Sequence, residues 1–274
     1  MVGLCQFAPG GNRQGNLLSG TLDESVTRVV RKVFGTAASL AVVGPLPSAA
    51  VEATFARLNE IEERFSTYRP NSEICRIRDG ALARSAAHPE TQQILNVCEA
   101  LYEESGGIFD AWHAGRDGGL EPAGYVKGWA IGVAGAILRE HGVENFSFGI
   151  GGDITAAGGG PAGIGWSVGV VDPRRSTTLV ARVSLRNEGI ATSGMSERPG
   201  HLRDVETGGA ATSPWLSFTV VGPDIARVDA LATIGFLEGR AGMHRVDHEP
   251  GYGALAMDTD GVLTATEGFR TRTI

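Results

Sequence analysis

Cysteine is scarce in this 274-residue chain: Cys5, Cys75 and Cys98 are all there are. An odd number without CxxC spacing gives neither a disulfide framework nor a zinc knuckle, and a reducing compartment is the default expectation. Long hydrophobic runs are lacking as well; no window approaches the roughly 18 uninterrupted apolar residues of a membrane span. Residues 1–19, with Gly-Gly-Asn-Arg-Gln-Gly-Asn at 10–16, lack the apolar core of a signal peptide. They read as a disordered lead to one domain over 20–274, in a protein expected to be cytoplasmic. Basic charge is not in excess: the net charge of −7 argues against general nucleic-acid binding, which needs a clustered basic surface. No repeat at a fixed period is present, which removes solenoids and propellers. HExxH is absent, and the GxxxxGK[ST] frame fails at Lys127-Gly128, where Pro122 replaces the first glycine and Trp129 the hydroxyl residue.

What is present is ordinary in bulk, 42% hydrophobic and 20% charged, apart from 40 glycines, which imply many turns or close backbone approaches. A chain of this length buries roughly three quarters of its unfolded surface. Apolar residues at Val51, Phe55, Leu58 and Ile61 predict an amphipathic helix over 48–64 with Ser48 as its cap. Further helices are predicted over 91–105, stopped by Gly106-Gly107, over 127–140, and over 225–237. Ser72-Glu73-Ile74 starts a short helical turn. Strands are expected at 26–34 and 37–43, 145–150, 166–171, 178–185, 189–194, 216–221, and in a terminal hairpin around the Asp258–Gly261 turn. Helices and strands interleave without regular βαβ alternation, and hairpins lie near both ends. The expected class is therefore α+β, with mixed, largely antiparallel sheets and packed helices.

Few residues carry chemistry by themselves. Asp229 and Thr233 stand at i and i+4 of a helix, so a carboxylate and a hydroxyl share one face, a hard oxygen pair suited to Mg²⁺; capping or solvation explains such a pair too. Lys127 opens a helix where an anion would be welcome, although a solvated lysine is the commoner outcome. Glycines 128, 132 and 135 imply either a ligand close to this helix or tight packing against a neighbour. His201 precedes Asp204 and is a candidate base. Ser193 is a turn or phosphate-binding hydroxyl, and Tyr68, Phe109, Trp112 and Trp129 are aromatics that stack on a ring or fill the core.

The order of these pieces is more specific than any one of them. Phe34-Gly-Thr, Phe65-Ser-Thr-Tyr-Arg-Pro-Asn-Ser-Glu, Gly107-Ile-Phe-Asp, Val126-Lys-Gly-Trp-Ala, Gly151-Gly-Asp-Ile, Ala191-Thr-Ser-Gly, His201 to Gly208 and Asp229-Ala-Leu-Ala-Thr together resemble the ApbE family of FAD:protein FMN transferases. The resemblance spans about Phe34 to Leu237. It implies a Mg²⁺-dependent enzyme that cleaves the pyrophosphate of FAD, joins FMN to a Thr or Ser of an acceptor flavoprotein and releases AMP; some relatives hydrolyse FAD to FMN and AMP. A flavin-binding protein without turnover is the reading of another class. By motif, Asp229, Thr233 and the Gly124 carbonyl match metal ligands. Phe34, Tyr68, Ile108, Phe109, Asp110, Glu121, Lys127, Thr192 and Ser193 match FAD-site positions, and His201 a histidine of the flavin site with a catalytic role. The chain departs from the pattern at Arg78 (usually Asn), Gly132 (usually Asp), and Arg203 and Val205 in the acceptor loop.

Overall fold

The computed structural model describes residues 5–7, 26–115, 118–194 and 213–274. In chain order, β1 (Cys5–Phe7), β2 (Val26–Val33) and β3 (Thr36–Val43) precede helices α1 (Ser48–Phe65), α2 (Glu73–Arg78), α3 (Pro89–Glu104) and α4 (Ala123–Glu140). Five strands follow: β4 (Phe146–Ile150), β5 (Asp153–Ala157), β6 (Trp166–Asp172), β7 (Arg175–Leu185) and β8 (Glu188–Gly194). The remainder comprises β9 (Trp215–Gly222), α5 (Ile225–Glu238), α6 (Arg240–His248), β10 (Gly253–Asp258), β11 (Leu263–Ala265) and α7 (Glu267–Arg270). None of the described helices is long and apolar enough to cross a membrane.

Eight strands form one sheet in the order β11-β10-β9-β8-β5-β4-β3-β2, and β1-β6-β7 form a second. Every pairing among the described residues is antiparallel, where the sequence predicts mixed, largely antiparallel sheets. The large sheet is covered on both faces. On β3, Ala38, Leu40 and Val42 join the core with residues of α1, α4 and α5, while Ala41 and Val43 join Trp166, Val168 and Val183 of the small sheet. Side chains alternate across a strand, so a doubly covered sheet needs apolar residues at both parities. Strand β10 meets that need, with Ala254 and Ala256 in the first core and Leu255 in the second.

Two hairpin turns set the geometry that matters below. Phe34 (φ 53°) and Gly35 (φ 72°) join β2 to β3, both in the left-handed conformation that matches strand twist in a two-residue turn. Gly151 (φ 63°) and Gly152 (φ 112°) join β4 to β5, pairing Ile150 with Asp153. Residues 151–153 read as a loop in sequence; Asp153 is instead the first residue of a strand that the short run Ile-Thr-Ala-Ala scarcely signals.

Other boundaries move for identifiable reasons. Pro47, not Ser48, stands at the α1 N-cap position and makes no side-chain bond there. The His88 ring accepts from the Glu90 amide to cap α3, and the Ser72 hydroxyl accepts from the Cys75 amide to cap α2. Helix α4 starts at Ala123, so Lys127 lies in its second turn and not at its N-terminus. Cys5–Phe7, inside the stretch read as a disordered lead, form a strand against Val168–Val170 of β6.

Candidate functional site

Helices α4 and α5 meet through the glycines. A Cβ on Gly128 would fall 2.6 Å from the Asp229 Cβ and 2.7 Å from the Ile225 carbonyl oxygen; on Gly132 it would meet the Ile225 methyl at 3.4 Å. Close helix packing therefore accounts for Gly128, while Gly132 has room for a methyl. The same approach lets the Gly128 amide donate to Asp229 Oδ2 at 2.8 Å. In a regular helix that amide points toward the carbonyl four residues back, here Gly124, so the Asp229 carboxylate sits against the helical turn that holds the candidate carbonyl. Gly124 itself faces α5: a Cβ there would lie 3.7 Å from the Thr233 methyl and 3.2 Å from the Phe109 ring.

Asp229 is 2% exposed. Its Oδ1 lies 3.6 Å from Lys127 Nζ, and the same ammonium lies 2.6 Å from Asp153 Oδ2. Asp153, also 2% exposed, accepts from the Thr192 amide at 3.1 Å through Oδ1. Thr192 Oγ1 is 2.9 Å from Thr219 Oγ1, and Ser193 Oγ is 3.3 Å from Thr233 Oγ1. Gly124, Lys127, Asp229, Thr233, Thr192 and Ser193, scattered over 110 positions of sequence, are thus joined through β5 and β8 of the sheet and the α4–α5 seam. Asp153, Thr219 and the Gly128 amide complete the arrangement without having been among the candidates. The signal for Asp153 was its place directly after two glycines at a hairpin turn.

The other candidates make different contacts. Asp110 accepts at Oδ1 from the Trp112 and His113 amides, at 2.8 and 3.1 Å, and lies 2.7 Å from His113 Nδ1 through Oδ2. Phe109 is buried against Gly124, with its amide on Ser105 Oγ at 2.9 Å. Half-buried Ile108 precedes it, and the Glu121 amide ties to the Ala111 carbonyl at 2.7 Å. The Phe34 amide donates to Glu62 Oε2 at 3.0 Å, and Tyr68 is 60% exposed. Of the departures, Arg78 packs against Gly119 and donates to the Thr67 carbonyl at 3.3 Å. His201, Arg203 and Val205 lie outside the described residues.

By chemical type the Asp229 carboxylate, the Thr233 hydroxyl and the Gly124 carbonyl are oxygen donors that suit a hard divalent cation, and a lysine suits a phosphate. The α+β fold is shared by solved flavin transferases. The flavin transferase ApbE of Vibrio cholerae superimposes with a TM-score of 0.78 at 19% identity, over 90% of this chain and 100% of that one. The ApbE protein of Thermotoga maritima does so at 0.79 and 22%, over 91% and 100%. A FAD:protein FMN transferase of Vibrio cholerae serotype O1 is 25% identical over 232 residues, covering 64% of this chain and 69% of that protein. The ApbE family model matches residues 34–114 and 112–256. This chain belongs to the ApbE family.

Proposed function

We propose that the chain is a Mg²⁺-dependent FAD:protein FMN transferase built as one domain over 20–274. The observation that carries this reading is the oxygen set of Asp229, Thr233 and Gly124 beside the Lys127 ammonium, at positions that match the family's motifs. Asp229, Thr233 and the Gly124 carbonyl hold Mg²⁺, which when bound supplies charge neutralisation on the pyrophosphate. Lys127 binds a further phosphate oxygen. The aromatic and polar positions at Phe34, Tyr68, 108–110 and Glu121 hold the rest of FAD. An acceptor Thr or Ser hydroxyl attacks the FMN phosphorus, the anhydride bond to AMP breaks, and AMP leaves with the electron pair. His201 takes the hydroxyl proton.

The test is incubation of the protein with FAD, Mg²⁺ and a candidate acceptor protein, following AMP, free FMN and acceptor mass. Acceptor carrying FMN, with stoichiometric AMP, is expected. AMP with free FMN in the acceptor's presence replaces transfer by hydrolysis, and intact FAD overturns both enzymatic readings.

A further inference from the structure

The Gly151-Gly152 turn delivers a carboxylate to which the metal and phosphate roles give no task. Asp153 is buried, one oxygen fixed by the Thr192 amide at 3.1 Å and the other 2.6 Å from Lys127 Nζ. Burying a carboxylate is costly unless it is paired and hydrogen-bonded, and both conditions are met here. Its partner is a flexible four-carbon stem ending in a compact charge, which takes up whatever position its anionic neighbours set. Those neighbours are unequal. At 2.6 Å the contact with Asp153 is a close ion pair; at 3.6 Å the approach to Asp229 is a longer one, outside hydrogen-bond range.

We infer that Asp153 is a positioning residue: it anchors the Lys127 ammonium away from Asp229 and thereby leaves the Asp229 carboxylate available to a divalent cation. The inference rests on the metal site proposed above. With Asp153 neutral, Asp229 is, among the described residues, the carboxylate left in an ion pair with the ammonium, and a shift of about an ångström makes a direct hydrogen bond. An incoming cation then has to displace Lys127. The turn, the strand and the Thr192 amide are all required to hold Asp153 where it prevents this, which gives the Gly-Gly-Asp motif a physical task distinct from binding phosphate directly.

Mn²⁺, which prefers the same oxygen donors, is a spectroscopic probe that needs neither FAD nor turnover. Free Mn²⁺ is titrated by electron paramagnetic resonance against the full chain and its Asp153→Asn, Lys127→Gln and doubly substituted forms. Asp153→Asn keeps the acceptor for the Thr192 amide and is expected to weaken Mn²⁺ binding about tenfold, the scale seen when a partner outside the ligand shell is lost. In the Lys127→Gln background the same change is expected to cost about threefold or less. Asp153→Glu keeps the charge and is expected to stay within about threefold of wild type, which a merely steric role does not predict. Equal losses from Asp153→Asn in both backgrounds, or no loss in the wild-type background, overturn the inference alone. Mn²⁺ binding that survives Asp229→Ala, or is missing from the wild type, overturns the metal reading and the inference with it.

Discussion

At the scale of single residues, the candidate site sets two buried carboxylates, Asp153 and Asp229, beside half-buried side chains that each have a specific neighbour. Thr233 illustrates how little freedom that leaves. Its hydroxyl is 3.3 Å from Ser193 Oγ and its methyl faces Gly124. Thr233→Val keeps the shape and removes the hydroxyl; we expect metal affinity to fall about tenfold or more with the melting temperature little changed, as Mn²⁺ titration and thermal melts will show. Cys98 is a contrasting buried residue with no role in the chemistry. Burial pushes its thiol up to about 12, only partly opposed by Arg84. A folded thiol that ionises above its unfolded value contributes fully below the unfolded pKa of 9.0, and that contribution is lost as pH rises toward 12. Native protein at pH 8 is therefore expected to leave Cys98 unalkylated by iodoacetamide, and unfolded protein to react at once; modification of the native thiol at the unfolded rate contradicts this burial.

Among elements, the seam between α4 and α5 is where packing and chemistry coincide. Gly128→Ala places a methyl 2.6 Å from the Asp229 Cβ and against the Ile225 carbonyl, so the helices must separate. We expect a loss of roughly 1–3 kcal/mol in urea unfolding, typical of overpacking, together with weaker metal binding as Asp229 shifts. Gly132→Ala meets only a methyl at 3.4 Å. Its helix-propensity gain of up to about 1 kcal/mol offsets that contact, so a small change of either sign is expected. Comparable losses in the two variants contradict the packing account. Sequence reading located the glycines and left open whether a ligand or a neighbouring helix needed them, because periodicity reports which face is buried but not what lies against it. The same limit hid Asp153. Its strand has only Ile154 and Thr155 as β-branched residues before two alanines, too little to separate it from a glycine loop, and its partner Lys127 belongs to a helix that starts four residues earlier than its apolar stripe indicates.

For the whole molecule, the class and most elements were legible because the strands end at turn residues and the helices carry clear stripes. The stacking of two sheets was not, since apolar residues at both parities in β3 and β10 fit any doubly covered sheet. Nor did sequence spacing foretell the ion pairs that tie distant elements together. Arg227 of α5 reaches Glu104 Oε2 at the end of α3 at 2.7 Å and Glu249 Oε2 beyond α6 at 3.1 Å. The hydrogen bond from Arg227 holds the Glu104 carboxyl below its usual value of 4.5, against an opposing effect of burial. A carboxyl depressed in the folded state contributes stability above its unfolded pKa, and loses it as pH falls through the lower folded value. Arg227→Met is accordingly expected to lower the melting temperature at pH 7 and to narrow the difference from wild type below about pH 4. A difference that does not change with pH assigns Arg227 a packing role only.

The central claim is that Asp229 serves the transfer of FMN from FAD, and it is tested most directly by mass spectrometry of an acceptor protein incubated with FAD and Mg²⁺. Wild-type protein is expected to add one FMN and release one AMP. Asp229→Ala, shown to be folded by circular dichroism, is expected to do so at least about a hundredfold more slowly, the scale of losing several kcal/mol of charge stabilisation. Equal rates from the two proteins contradict the assignment of the site.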